Sequence, residues 1–460
     1  MKTNVETDAG ASAELARFAA TLALDAIPRQ VIQRVRECLL DFIANAAFAA
    51  RHAESSTAFR AAVDSLAPTG GAATVVAEAR TYPLQYAALL NGAYAHTLDF
   101  DDTSLFGSIH PGAAVIPAAL AMAEAEGAGG SALLEALVAG YEIACRVGAA
   151  IGTSAYDRGF HNTPIAGIFG AVAAAGRLAR LSVVELQSAF GLAGSQAAGS
   201  MQYLENGAWN KRLHPGFAAH DALLAVAFAR AGVLGASAPI EGRYGLLAAY
   251  SNAPQPQLLL DKLGQWWASA EVGLKPYPSC RLTHAAIGAA LALRARLAPG
   301  ALNALPIRLR LSPKAVQIVG EASSNKLRSR SIVDGQFSVY FQVAVALLDG
   351  VCNWDSYRRL GATDVESLAA RIRVEAGTDI LVAGAELSVG ATDDMVEKVD
   401  APLGEPERPL EWGDLLRKYH DLVDRVYGAH TATEIARGVD RLERLPNVCV
   451  LTAMLRAGKS

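Results

Sequence analysis

Charge is scarce in this chain: only 19% of its 460 residues are Asp, Glu, Lys or Arg. Lys+Arg total 41 and Asp+Glu 45, for a net charge of −4, and no basic run is present. That excludes an electrostatic nucleic-acid footprint. Cysteine is rarer still. The five cysteines (Cys38, Cys145, Cys280, Cys352, Cys449) are scattered, with no C-x-x-C. The pattern argues against a zinc site and a disulfide framework, and suits a reducing cytoplasm. Long apolar runs are missing too. The apolar stretches are Ala-rich and broken by charge or Gly within about 20 residues, which speaks against a membrane span. The start, MKTNVETDAGASAELARF, lacks the charged and then apolar order of a secretory signal. A cytoplasmic protein with no membrane or nucleic-acid partner is expected. Also missing are H-E-x-x-H, a two-His facial pattern and the DDxxD spacing of terpene synthases, so no metal site is expected. There is no Ser nucleophile elbow, Walker loop or dinucleotide fingerprint, and no internal repeat.

What remains is 52% hydrophobic, enough for two or more domains with a large core. Helical periodicity dominates residues 12–273. Helices are expected over 13–24, after Pro28, over 57–65, after Pro83 and from residue 113 onward. Residues 74–77 (TVVA) form a possible short strand. Gly140 and Gly148, inside a helical stretch, suggest close helix packing. Ser182 and Glu185 form a capping-box pattern. Asn162 or Thr163 would cap the next helix upstream, with Pro164 at its first position. Near Lys275 the texture changes. PIRLRLSP alternates Ile307, Leu309 and Leu311 with Arg308 and Arg310, the pattern of a half-buried strand. RIRVE (371–375) and AELSVG (385–390) alternate likewise, and FSVYFQVAVALLDG reads as an apolar helix between strands. The fold expected is mainly α: a large all-helical domain (1–272), an inserted smaller α+β lid domain (273–407), and a return to the helical domain (408–460).

The chemistry concentrates in residues 91–112, NGAYAHTLDFDDTSLFGSIHPG. Asp99, Asp101, Asp102, His96, His110 and Thr103 crowd into an otherwise apolar region. Three histidines are expected immediately before helices: His110 before Pro111-Gly112, His214 before Pro215-Gly216, and His161 before Asn162-Thr163-Pro164. A helix start offers free N–H groups and a positive dipole end. It therefore attracts anions and disfavours the imidazolium, keeping a histidine neutral and able to act as a base. Lys211, Arg212 and Lys275 add positive charge. Gathered together, these groups suit a substrate with more than one carboxylate. Asp99 could orient a histidine or take a proton, and Thr103 could donate to a carboxylate. Tyr340 is a further candidate contact, and Cys280 a candidate pocket wall. A single histidine before a Pro-Gly turn reads more naturally as a cap; the set, with two lysines at turns, favours function. Asp101 and Asp102 read as caps or structural pairs and His96 as a core histidine. His220, His284, His420 and His430 have weaker claims. The chemistry left is cofactor-free proton transfer next to a carboxylate.

The runs LNGAYAHTLDFDDT, HPG, GYEIACRVG, GFHNTP, KRLHPGFAAHDALLA, KPYPSCRLTHAA and FSVYFQVAVALLDG resemble the MmgE/PrpD family over nearly the whole chain. The family includes 2-methylcitrate dehydratase, cis-aconitate decarboxylase and iminodisuccinate epimerase. The resemblance implies a helical domain with a smaller lid domain, a homodimer, and no metal or organic cofactor. It implies pocket residues at Asp99, Thr103, His110, His161, Lys211 and Lys275. The chain departs from family patterns at three places. Cys280 stands where the decarboxylases have a histidine. YPSCRLTH, with its histidine at His284, replaces the dehydratase F/Y-P-A-E-F-H. Gly335-Gln336-Phe337-Ser338 replaces A-K-F-S. The expected activity is lyase chemistry on a small di- or tricarboxylate, with epimerisation of an amino-acid-like dicarboxylate, or carboxylate binding without turnover, as alternatives.

Overall fold

A computed structural model describes residues 10–297, 302, 305–390 and 395–456. The chain is mainly α with only small sheets. It divides into two compact units. Unit 1 holds residues 1–97, 101–273 and 412–460; unit 2 holds 98–100 and 274–411.

Unit 1 begins with α1 (Ala11–Thr21), α2 (Arg29–His52), α3 (Ser56–Leu66), α4 (Leu84–Thr97), α5 (Gly112–Ala125) and α6 (Gly130–Ile151). It continues with α7 (Asn162–Leu178), α8 (Val183–Gly194) and α9 (Asn210–Arg230). Pro28 precedes α2, where its missing N–H costs nothing. Ser182 and Glu185 close the expected capping box of α8. The helices that carry the site are buried almost all round: α5 is buried from Gly112 to Ala123, and α7 at every residue except Arg177. Such helices need small residues where backbones meet. A Cβ on Gly140 would stand 2.8 Å from the Gly170 carbonyl oxygen, and one on Gly148 would stand 2.3 Å from that of Gly107. The close packing expected at these two glycines is therefore real. Of the TVVA segment only Thr74 is in a strand, β1 (Ala73–Thr74), paired antiparallel with β2 (Thr81–Tyr82); residues 75–77 leave it in a turn rather than continuing the expected strand.

Unit 2 contains α10 (His284–Arg294), β3 (Ile307–Leu311), α11 (Val339–Asp349), β4 (Ile372–Ala376), β5 (Ala385–Val389) and β6 (Val396–Val399). The sheet order is β4-β3-β5-β6; β3 runs parallel to β4 and antiparallel to β5. Leu309 pairs with both Val374 and Leu387. Ile307, Leu309 and Leu311 are buried, as their alternation predicts, and α10 packs on the sheet and on α11. β6 carries no buried-exposed alternation that would mark it in sequence: its residues VEKV are half-buried or exposed. The chain returns to unit 1 through α12 (Trp412–Tyr427), α13 (Ala429–Asp440) and α14 (Cys449–Leu455).

Two helix starts differ from expectation. α7 begins at Asn162, so His161 itself occupies the cap position and Pro164 is the third helical residue. α9 begins at Asn210, so His214 lies inside the helix rather than before it. Pro215 is the sixth residue of α9 and forfeits a single bond, to the Lys211 carbonyl, which a helix anchored by packing tolerates. The residue at the helix start is thus Lys211, not His214.

Candidate active site

In unit 1 the last turn of α4, the loop before α5, and the starts of α7 and α9 bring four histidines together. His96 ends α4 and is 1% exposed. Its Nδ1 lies 2.7 Å from Asp101 Oδ2, and His110 Nδ1 lies 3.4 Å from the same oxygen. The His96 and His110 rings meet edge to face at 4.7 Å, and the His96 and His161 rings stack at 5.8 Å. His161 Nδ1 is 3.1 Å from His214 Nδ1. Tyr203 packs against both His161 and His214.

Local backbone chemistry fixes these positions. Ser104 and Ile109 exchange backbone hydrogen bonds across the loop, and Thr103 pairs with Gly273. The His110 N–H donates to Thr163 Oγ1 at 3.1 Å, and the His161 N–H donates to the Gly199 carbonyl at 2.9 Å. Asp102 accepts from the Gly112 N–H at 3.0 Å and from the Tyr141 hydroxyl at 2.6 Å, anchoring the start of α5. The structural role expected for Asp102 is the one observed.

Burial sets the charge states. It lowers His96 to about 4, against the pull of Asp101, with Lys211 and His110 adding to the lowering. Burial and the neighbouring His214 hold His161 well below the usual imidazole range, and burial lowers His214 to about 4. Burial pushes Asp101 upward, but His96 and His110 outweigh it and hold the carboxyl well below its usual range. At neutral pH the Asp101–His96 pair is therefore a carboxylate accepting from a neutral imidazole Nδ1–H. His96 Nε2 is then a lone pair, buried and with no hydrogen-bond partner among the described residues. Thr103 Oγ1 is likewise buried without such a partner. Lys211 is buried in the first turn of α9 and contributes to the lowered values of His96, His161 and His214.

Unit 2 holds a second cluster. Asp99 adopts a left-handed backbone (φ 51°), which strains a residue bearing a Cβ. Lys275, fully buried, donates through Nζ to the Asp99 carbonyl at 2.9 Å and to its Oδ1 at 2.6 Å. The ion pair compensates the strained turn. Cys280 is half-buried, its N–H bonded to the Gln336 carbonyl. His284 sits between Arg281 Nη1 on Nδ1 and the Ser279 carbonyl on Nε2. Arg281 can only donate, so Nδ1 accepts and Nε2–H donates, and the ring is fully used. Arg281 itself pairs with the buried Glu405.

Of the candidates from sequence, His110, His161, His214 and Lys211 lie in the unit 1 cluster; Asp99 and Lys275 form an ion pair in unit 2. Arg212 is buried on Glu54 (2.9 Å), Ser55 Oγ (2.9 Å) and the Trp209 ring, holding the turn between α2 and α3. The Tyr340 hydroxyl donates to the Gly320 carbonyl at 2.8 Å. Sequence reasoning missed the position of His96 and Asp101 at the centre of the unit 1 cluster. The only signal was their spacing across the end of α4. No two-His pattern is visible in sequence, yet His96, Asp101 and His110 present ligand atoms within 4.8 Å of one another, a group that could hold a metal ion. The His96 Nδ1 and Asp101 Oδ2 atoms already share a hydrogen bond, and a metal there would have to displace that proton.

The two units, one helical apart from the short β1–β2 pair and one α+β, with buried neutral histidines in the first, define a mainly α chain of enzyme-like site chemistry. The chain belongs to the MmgE/PrpD family: residues 13–259 match the MmgE/PrpD N-terminal domain and 277–444 the MmgE/PrpD C-terminal domain. It is 28% identical to a cis-aconitate decarboxylase of Aspergillus terreus, covering 97% of this chain and 96% of that protein. It is 32% identical to a cis-aconitate decarboxylase-like protein of Aspergillus oryzae over 59% of each, and 27% identical to the cis-aconitate decarboxylase of Mus musculus over 81% of this chain and 79% of that one. No described helix is long and apolar enough to cross a membrane.

Proposed function

We propose that this chain is a cofactor-independent lyase of the MmgE/PrpD type. It moves a proton at the carbon next to a carboxylate of a small di- or tricarboxylate, in a decarboxylation or dehydration. The observation that carries the reading is the cluster of buried His96, His161 and His214 with half-buried His110, beside Lys211. Its imidazoles are kept neutral where burial lowers them, so they can accept protons, and a buried lysine stands beside them. His110 or His161 transfers the proton. Lys211 and the hydroxyl of Thr103 bind carboxylate oxygens. Lys275, paired with Asp99, is a further candidate cation, as the family resemblance implies. The names of the relatives make cis-aconitate the first substrate to test.

Cys280 supports a second reading. The family pattern read in the sequence has a histidine there for decarboxylation, and a thiol in its place would change the proton donor. Epimerisation of an amino-acid-like dicarboxylate, such as iminodisuccinate, is that alternative. We also take the protein to act as a cytoplasmic homodimer. The test is incubation in D₂O with cis-aconitate and a panel of other dicarboxylates, followed by NMR. Loss of CO₂ or water with deuterium at the adjacent carbon supports the lyase, and deuterium exchange with inversion supports the epimerase. Binding without turnover of any member would leave a carboxylate-binding protein instead.

A further inference from the structure

A buried base needs a route by which its proton reaches or leaves water. His161 is 3% exposed, and its Nδ1 is committed to His214 Nδ1 at 3.1 Å. An N···N contact this short between two imidazoles requires one N–H donor and one lone-pair acceptor, so the two rings hold complementary tautomers. His214, in turn, lines a cleft of about 500 Å³ formed by Pro164, residues 195–199, Asn210 and Phe217. Phe217 on its rim is 47% exposed. Gly199 forms the wall beside the pair: its N-side geometry (φ 151°) and its surroundings leave no room for a side chain, since a Cβ would stand 2.6 Å from Pro164 and 3.5 Å from His214 Nδ1. The Tyr250 hydroxyl pins this wall through the Ala197 carbonyl.

We propose that His214 is a proton-relay residue that links His161 to the solvent of this cleft. The proposal rests on His161 being the proton-transferring group of the proposed reaction. Consider delivery of a proton to carbon. His161 starts with Nε2–H, its Nδ1 lone pair accepting from His214 Nδ1–H. The carbanion takes the Nε2 proton, forming a C–H bond as the N–H bond breaks. His214 passes its Nδ1 proton to His161 Nδ1, and His214 Nε2 takes a proton from water in the cleft. One proton leaves solvent and one reaches carbon. Both rings end neutral with exchanged tautomers, and proton abstraction runs the same path backwards. A concerted transfer of this kind never places a full charge on either ring, which is what the burial of both demands.

The test has two arms on the full-length protein. In the first, ¹⁵N-histidine NMR of the wild type without added ligand reads the protonation of each ring nitrogen. One of the two Nδ1 atoms should be protonated and the other not, with a shared-proton coupling that disappears in His214→Phe. Two Nε2–H tautomers with no Nδ1–H would overturn the relay whatever the substrate. In the second arm, steady-state kinetics with cis-aconitate compares His214→Phe and His214→Gln with wild type, folding being checked by circular dichroism. The expected result is a fall in kcat of roughly ten- to a hundredfold with KM little changed, partly restored by added imidazole. Folded variants with normal kcat, or with a loss that imidazole at no concentration relieves, would overturn it. Full activity of His161→Ala would instead remove the underlying assignment of His161, and absence of cis-aconitate turnover in the wild type would remove the substrate, leaving the first arm to decide the relay.

Discussion

The division of labour among single residues is set by which groups burial leaves neutral and which are cations. His161→Ala and His110→Ala should lower kcat, by roughly 10²–10⁴-fold for whichever histidine transfers the proton. Lys211→Ala and Lys275→Ala should impair substrate binding as well as rate, since a charge-assisted hydrogen bond is worth about 1.5–3 kcal/mol, or roughly ten- to a hundredfold. His420, paired with Asp424 on α12, is the control. Steady-state kinetics of the five variants checks this; near-normal kcat in both histidine variants would reduce them to caps. Asp102 gives a separate prediction in pH. Burial raises it to about 7, against the hydrogen bonds from Tyr141 and Gly112 that pull it down. A raised folded value means that the native state binds the extra proton. This contribution is full below the unfolded carboxylate range near 4 and is lost as pH rises through about 7. The buried histidines act oppositely: with lowered folded values, their contribution is full above about 6.5 and is lost as pH falls toward 4. In Asp102→Asn the first slope disappears and the second remains. Urea unfolding at pH 5 and pH 8 should show wild type losing stability relative to Asp102→Asn at the higher pH. Parallel pH curves for the two proteins would show that Asp102 is ionised in the native state.

At the scale of elements, the site depends on how closely α4 and α9 cross. Gly92 and Gly216 face each other there: a Cβ on Gly216 would lie 2.3 Å from the Leu89 carbonyl oxygen, and one on Gly92 would lie 2.9 Å from Gly216 Cα. The obstacles are backbone atoms, so they cannot swing aside. Gly216→Ala should destabilise by about 1–3 kcal/mol, the usual cost of overpacking. It should also lower activity, because α4 carries His96 and α9 carries Lys211 and His214. Gly288→Ala, in α10, is the contrasting case: nothing lies within 4 Å of its Cβ position. Removing a helix-interior glycine there should stabilise by roughly 0.5–1 kcal/mol. Thermal denaturation of both variants checks the pair, and equal effects would show that the α4–α9 crossing is looser than the structure has it.

For the whole molecule, the proposed absence of a metal is the property most exposed to test, because His96, Asp101 and His110 could hold one. The purified enzyme should keep its activity and melting temperature in EDTA, since Asp101 Oδ2 is already engaged by the His96 Nδ1 proton, which a metal would have to displace. Activity lost on chelation and restored by a divalent cation would convert the cluster into a metal site and replace the proton-transfer scheme.

The sequence by itself determined the mainly α class, the sheet strand Ile307–Leu311 and the family, because periodicity and motif content are local properties of the chain. It also marked residues 91–112, since a crowd of titratable groups in an Ala-rich background is visible without a fold. It placed His214 before a helix because Pro-Gly reads as a start signal; packing of α9 against α4 carried the helix one turn further back, to Asn210. It read His96 as a core histidine and Asp101 as a cap or structural pair, because a spacing of five residues across a helix end does not by itself mark a catalytic pair. The Asp101–His96 contact, 2.7 Å across the turn that ends α4, is local, whereas only the tertiary structure brought His161 to within 3.1 Å of His214, 53 residues away. Contacts of that kind arise where helices cross, and crossing geometry is set by the mutual burial of many small residues rather than by any local pattern.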